Sequence, residues 1–190
     1  MREAFAMTRR AVSLAALLVF GISPVGSDIA VAQGKDLAPH FEPLAFLLGG
    51  CWRGTFADGK TTDLRCAEPV FGGKFLRERH VVRRTDGGEY RGETLYHWDA
   101  KAGKIRYTYW NSSGGVSTGT MELEGSRRVF PAERYAGSDG RMREFRTVWE
   151  VKGDSAWTMM TEELRADGTW TAAWRIDLRR DPSARLEERS

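Results

Sequence analysis

The sequence predicts an all-β fold, a single up-and-down antiparallel β-barrel of about ten strands behind a short N-terminal helix. Three observations carry that prediction. Turn signals recur about every 10 to 15 residues, from Asp58-Gly59 to Asp167-Gly168, with Thr, Val, Tyr, Trp and Phe concentrated between them. No strand–helix–strand rhythm, helical repeat or low-complexity tract breaks the series. The first hairpin, tested for register, sets the two cysteines of the chain opposite each other. Closure into a barrel removes the exposed edges that an open sheet of this length would present.

The chain begins with a stretch that stands apart from the barrel. Arg2, Arg9 and Arg10 form a positive n-region, residues 11–22 are a predominantly apolar h-region of 12 residues, and "AVAQ" offers a cleavage site after Ala32. That run is shorter than the roughly 20 apolar residues a membrane span needs. Residues 1–32 therefore read as a secretory signal peptide, and the mature protein is expected in the periplasm or outside the cell, with no membrane anchor. Leu48-Gly49-Gly50-Cys51 resembles a lipoprotein cleavage box, but Cys51 lies 29 residues beyond Ile22, too far from the apolar run. Losing residues 1–32 takes the net charge from +3 to +2. Arg and Glu interleave throughout, so no basic stripe points to nucleic acid.

Residues 33–45 read as a linker and helical lead-in, residues 46–182 as the barrel and residues 183–190 as a tail. If Asp58-Gly59 turns the first hairpin, opposed residues have numbers summing to 117, and Cys51 faces Cys66. In an oxidising compartment that pair forms a disulfide, which argues against a reactive thiol. The same register sets Trp52 against Arg65.

A short helical lead-in, Gly50-x-Trp52 on the first strand and a run of hairpins together resemble the calycin superfamily of lipocalins and fatty-acid-binding proteins. The stretch from "GGCWRGTF" to "YRGETLYHWDAKAGKIRYTYWNSSGG" is similar to small secreted bacterial proteins called lipocalin-like. The resemblance implies that Gly50 and Trp52 close the barrel with a late basic residue, Arg175 or Arg179, packed on the tryptophan; the hairpin register adds Arg65, opposite Trp52, as a cation–π partner at that structural end.

The next hairpins predict an interior. With Asp86-Gly87 as a two-residue turn, one face carries Phe75, Arg77, Arg79, Val81, Tyr90, Thr94, Tyr96 and Trp98. A loop over residues 100–103 continues that face into Ile105, Tyr107, Tyr109 and Asn111. This face is the more aromatic and is taken as the inside, so Arg77, Arg79, Tyr96, Tyr107, Tyr109 and Asn111 are the candidate ligand-binding residues. An inward arginine in an apolar barrel is paired or awaits an anion. Glu78, His80, Glu93 and His97 then share the outer face, where a metal site is the sharp reading and a solvated face the plain one. In the last hairpins Trp157, Met159, Trp170, Trp174 and Ile176 fit one face that also carries Glu144 and Arg146, and the pattern does not choose between inside and outside.

Catalysis finds no motif: "NSSGG" and "VSTGT" supply serines without a base, and no nucleophile elbow occurs. Small ten-stranded barrels of the nitrobindin group bind haem through a late histidine, but no histidine follows His97. No cofactor is expected. The sequence reads as a monomeric, non-enzymatic binding protein for a small amphipathic or anionic hydrophobic molecule. Its alternatives are an inert-interior barrel acting as a structural or interaction module, a cavity-based isomerase or lyase using Tyr and Glu, and a haem binder in which His80 or a tyrosine replaces the late histidine.

Overall fold

The computed structural model describes residues 37–187. The expected signal peptide, the start of the expected linker and the last three residues of the chain lie outside the described residues. Ten strands follow one another around a closed antiparallel barrel: β1 (Cys51–Phe56), β2 (Thr62–Val70), β3 (Phe75–Arg83), β4 (Glu89–Asp99), β5 (Lys104–Asn111), β6 (Val116–Glu124), β7 (Arg127–Ala136), β8 (Met142–Lys152), β9 (Ala156–Leu164) and β10 (Trp170–Asp181). Each strand pairs with the next, and β10 closes onto β1.

The lead-in is a 3-10 helix, Pro39–Leu47, which runs two residues past the boundary the sequence suggested. Pro43 lies inside it, and a ring without an N–H disfavours a regular α-helix there. Phe41, Leu44 and Leu47 are buried and plug one end of the barrel. Trp52 anchors the plug by donating its indole N–H to the Leu47 carbonyl at 3.2 Å.

The residue stacked on Trp52 is Arg180, which corrects the assignment to Arg175 or Arg179. Its guanidinium sits 4.3 Å from the ring centroid and donates to the carbonyls of Leu48 and Phe46 at 2.6 and 2.8 Å. The cause is the two-residue period of a strand: Ile176, Leu178 and Arg180 share the inward face, while Arg175 and Arg179 share the other. Arg175 instead pairs with Asp177 at 3.2 Å on the surface.

The first hairpin has the anticipated register, with Cys51 opposite Cys66 and Trp52 opposite Arg65. Cys51 and Cys66 form a disulfide. The Arg65 guanidinium does not stack on Trp52; it turns to carboxylates, described below.

The β3–β4 hairpin departs from expectation by one residue. Arg83 pairs with Glu89, not Tyr90, because Gly88 belongs to the closing pair and the loop between Arg84 and Gly88 has an odd count. Gly87 supplies the left-handed conformation such a loop needs (φ 81°). A one-residue slip turns every side chain of a strand to the other face. Arg77 and Arg79 accordingly lie on the outside, both paired with Glu68 on β2, at 3.0 Å for Arg77 Nε and 3.4 Å for Arg79 Nη2. Their inward placement is corrected; Leu76, Glu78 and His80 take it.

The same slip separates the four residues read as a potential metal face, since Glu78 and His80 point inward while their neighbours Glu93 and His97 remain outside. In the last hairpins Phe145, Thr147, Trp149, Trp157, Met159, Thr161 and Ile176 are buried. Glu144 and Arg146 are not among them, and Arg146 bonds Glu162 across the outer face, so no ion pair enters the barrel there.

Candidate functional site

Opposite the helical plug the barrel interior opens into a cavity of about 350 Å3. Phe56, Tyr96, Phe130, Phe145, Trp149, Met159 and Ile176 give it apolar walls. Exposed Trp174 and Arg143 stand at its mouth. Of the candidates read from sequence, Tyr96, Tyr107 and Tyr109 line the cavity. Asn111, at the end of β5, is not among the residues lining the cavity; its amide donates to the hydroxyl of Tyr135, which is, at 3.2 Å. Arg77 and Arg79 lie outside.

Space for the polar side chains comes from glycine. A Cβ on Gly92 would fall 2.2 Å from His80 Nε2 and 2.5 Å from the Tyr109 hydroxyl, and one on Gly119 would fall 2.4 Å from the Tyr107 hydroxyl. Those rings occupy the volume that side chains on β4 and β6 would otherwise fill.

One wall carries a paired network on β2 and β3. Asp63 and Glu78 are 0% and 2% exposed, and such carboxylates need compensation. Arg65 supplies it, with Nε 2.6 Å from Asp63 and Nη1 2.9 Å from Glu78. Tyr96 donates to the other Glu78 oxygen at 2.8 Å. His80 Nδ1 lies 3.2 Å from Asp63 and Nε2 3.2 Å from the Tyr109 hydroxyl, which is 2.5 Å from that of Tyr90. With His80 Nδ1–H donating to Asp63, the Tyr90–Tyr109–His80 bonds are all satisfied in either direction. Tyr90 donates to Tyr109 and Tyr109 to His80 Nε2, or, on a protonated imidazole, both bonds are reversed. Burial alone would raise the Asp63 carboxyl, but Arg65 and His80 override it and hold it below its ordinary value. Burial likewise opposes the Arg65 charge, yet Asp63 and Glu78 hold its pKa above the usual one.

The opposite wall is built differently. Burial raises the pKa of the Glu133 carboxyl, and the nearby Ser117 and Tyr107 hydroxyls only partly counter it. Those hydroxyls lie close enough to favour its charge, although neither reaches a partner in good hydrogen-bond geometry among the described residues. Burial, followed by the Glu133 charge, pushes the Tyr107 phenol well above its usual range. Trp149, another lining residue, also has an indole N–H without a partner.

Sequence reasoning missed Asp63, Glu78, His80 and Glu133 as interior groups. For Glu133 the cause is a bulge. Phe130 pairs with Thr147 and Glu133 with Phe145, so β7 spends three residues where β8 spends two. Simple alternation from Phe130 would turn Glu133 outward, and the extra residue turns it in. Pro131 was the available signal, because proline within a strand marks an edge or a bulge.

Among the described residues no group of three or more His, Cys, Asp or Glu side chains is arranged to hold a metal ion. No helix is long and apolar enough to cross a membrane. The fold is similar to that in the crystal structure of Rv2717c from M. tuberculosis, with a TM-score of 0.56 over 77% of this chain and 99% of that one. At 16% identity that likeness is one of fold. No curated protein matches the sequence. The model of one family matches residues 51–180, nearly the whole barrel, and the chain belongs to that family, described as a protein of unknown function (DUF1579).

Proposed function

We propose that this barrel is a monomeric, non-enzymatic binding protein that takes a small amphipathic molecule into its cavity. The cavity itself carries the reading. At about 350 Å3 it falls within the range of roughly 300 to 1,000 Å3 usual for small-molecule sites. Apolar walls with a few convergent polar groups are the common composition of such sites. An interior filled by its own side chains would have favoured an inert structural module, and the open volume weighs against it. The calycin resemblance agrees with a ligand held inside a barrel. The disulfide and the n-region of the sequence support export through a signal peptide over residues 1–32.

Native mass spectrometry of protein purified without detergent tests the reading. A small-molecule adduct that disappears on unfolding is the expected result. Absence of any adduct, together with no heat on titration with apolar probes, would overturn it.

One observation favours a second reading, proton-transfer catalysis by an isomerase or lyase. Burial raises the Glu133 carboxyl beside Tyr107, and a raised carboxyl facing a cavity suits a general acid or base. The two readings separate on the fate of the bound molecule: it leaves a binding protein unchanged and an enzyme converted.

A further inference from the structure

The two walls of the cavity differ in what they leave for a ligand. Arg65 is the buried guanidinium that lines the cavity, and its contacts go to Asp63 and Glu78 at 2.6 and 2.9 Å. Arg143, the other cationic lining residue, is exposed at the mouth. An anionic head group inside the barrel would therefore meet Glu133 and Glu78 with no uncommitted cation beside it. Across the cavity, Tyr107 lines the space and is 4% exposed, with a buried hydroxyl that has no partner among the described residues, and Ser117 is 1% exposed with its hydroxyl in the same condition. Ser117 lies on the inward face between Tyr109 and Tyr135, its cross-strand neighbours. Glu133 stands beside both and keeps part of its surface open to the cavity. Buried polar atoms are nearly always satisfied, and a cluster that is not points to a missing partner.

We infer that Tyr107 and Glu133, with Ser117 buried beside them, form the polar subsite of the cavity, and that it takes a non-anionic head group able to donate a hydrogen bond, such as a phenol, alcohol or amide. The head group donates to a Glu133 oxygen and accepts from the Tyr107 hydroxyl, while its apolar body lies against Phe130 and Trp149. The inference rests on the reading of the cavity as a binding site and narrows it: the acceptor-only carboxylate of a fatty acid is the wrong partner for this wall.

Calorimetric titration of the purified protein at neutral pH with naphthalene, 2-naphthol and 2-naphthoate tests it, since the three share one apolar body. The expected result is 2-naphthol bound about tenfold more tightly than naphthalene, the worth of one good hydrogen bond, with 2-naphthoate weakest. Tyr107→Phe and Glu133→Gln should each reduce the preference for 2-naphthol over naphthalene toward parity while naphthalene affinity stays within about twofold, the criterion that the variants remain folded. Naphthalene binding with no gain for 2-naphthol, or tighter binding of 2-naphthoate, overturns the subsite and leaves the cavity reading standing. No binding of any of the three overturns both.

Discussion

On one side of the barrel, β2 and β3 bury Asp63, Arg65, Glu78 and His80, and each of these side chains is bonded to another. On the other, β5, β6 and β7 bring Tyr107, Ser117 and Glu133 together, and two buried hydroxyls have no partner. Both walls place polar groups in an apolar barrel of the same width. The difference lies in who supplies the compensation. Removing charge from water costs several kcal/mol per ion unless it is paired, so the first wall is self-contained and holds the strands in register. An unsatisfied buried hydroxyl costs about 1–3 kcal/mol, a deficit that a bound head group or water removes. Satisfaction, and not polarity, separates the wall that maintains the fold from the wall proposed to meet a ligand.

The largest test of that contrast is Arg65→Met. It leaves Asp63 and Glu78 buried without their cation and should cost about 3–5 kcal/mol in urea unfolding. Glu133→Gln should stay within about 1 kcal/mol of the wild type, because burial and neighbouring hydroxyls, and no cation among the described residues, set the state of that carboxyl. Similar losses from both changes would erase the distinction between the walls.

Next in size is the staple on the paired wall. Cys51→Ser removes the link that ties β1 to β2, the strand that carries Asp63 and Arg65. The loop it closes spans 15 positions, so the chain-entropy model gives a loss of about 3 kcal/mol under oxidising conditions. In reductant the variant and wild type should unfold at the same denaturant concentration. An equal loss in both conditions would mean that the thiol, not the bond, matters.

A matched pair of tyrosines sharpens the comparison at about 2 kcal/mol. Tyr96→Phe deletes a donor to the buried Glu78 carboxylate and should cost about 1.5–3 kcal/mol. Tyr107→Phe deletes a hydroxyl that has no partner and should be neutral or slightly stabilising. If the two variants show equal thermal shifts, Tyr107 has a bonded partner and the open wall is closed.

How much of this was legible in the sequence follows from where strand alternation survives. The Cys51–Cys66 register and the Trp98–Ile105 register came through because their turns sit symmetrically between the paired residues. From the latter, Tyr96, Tyr107 and Tyr109 fell on the cavity side. Alternation failed wherever one residue was added or lost. Gly88 shifted β3 and exchanged Arg77 and Arg79 for Glu78 and His80; Pro131 and its neighbour shifted β7 and brought in Glu133. Both failures hid carboxyls, the groups that a pattern of apolar residues carries no information about. The expectation of an inward arginine was sound as physics, and Arg65 fills it, but the sequence gives no sign that two acidic side chains already occupy it.

The smallest effect, and the one that reads both walls at once, is the pH dependence of stability. Asp63 has a folded pKa below its ordinary value, so its contribution is fully present above that value and lost as pH falls through the folded one. Glu133 has a folded pKa above its ordinary value. Between the two values the native state holds a proton that the unfolded chain has released, so stability declines as pH rises through that window. A single such group changes stability by at most about 1.4 kcal/mol per pH unit. Urea midpoints measured from about pH 3 to pH 8 should therefore fall at the acid end in wild type and in Glu133→Gln alike. Above the ordinary glutamate value of about 4.3, only the wild type should show the gentle decline. Parallel profiles across that range would place the Glu133 carboxyl in water in the free protein, and the open wall would lose the group that defines it.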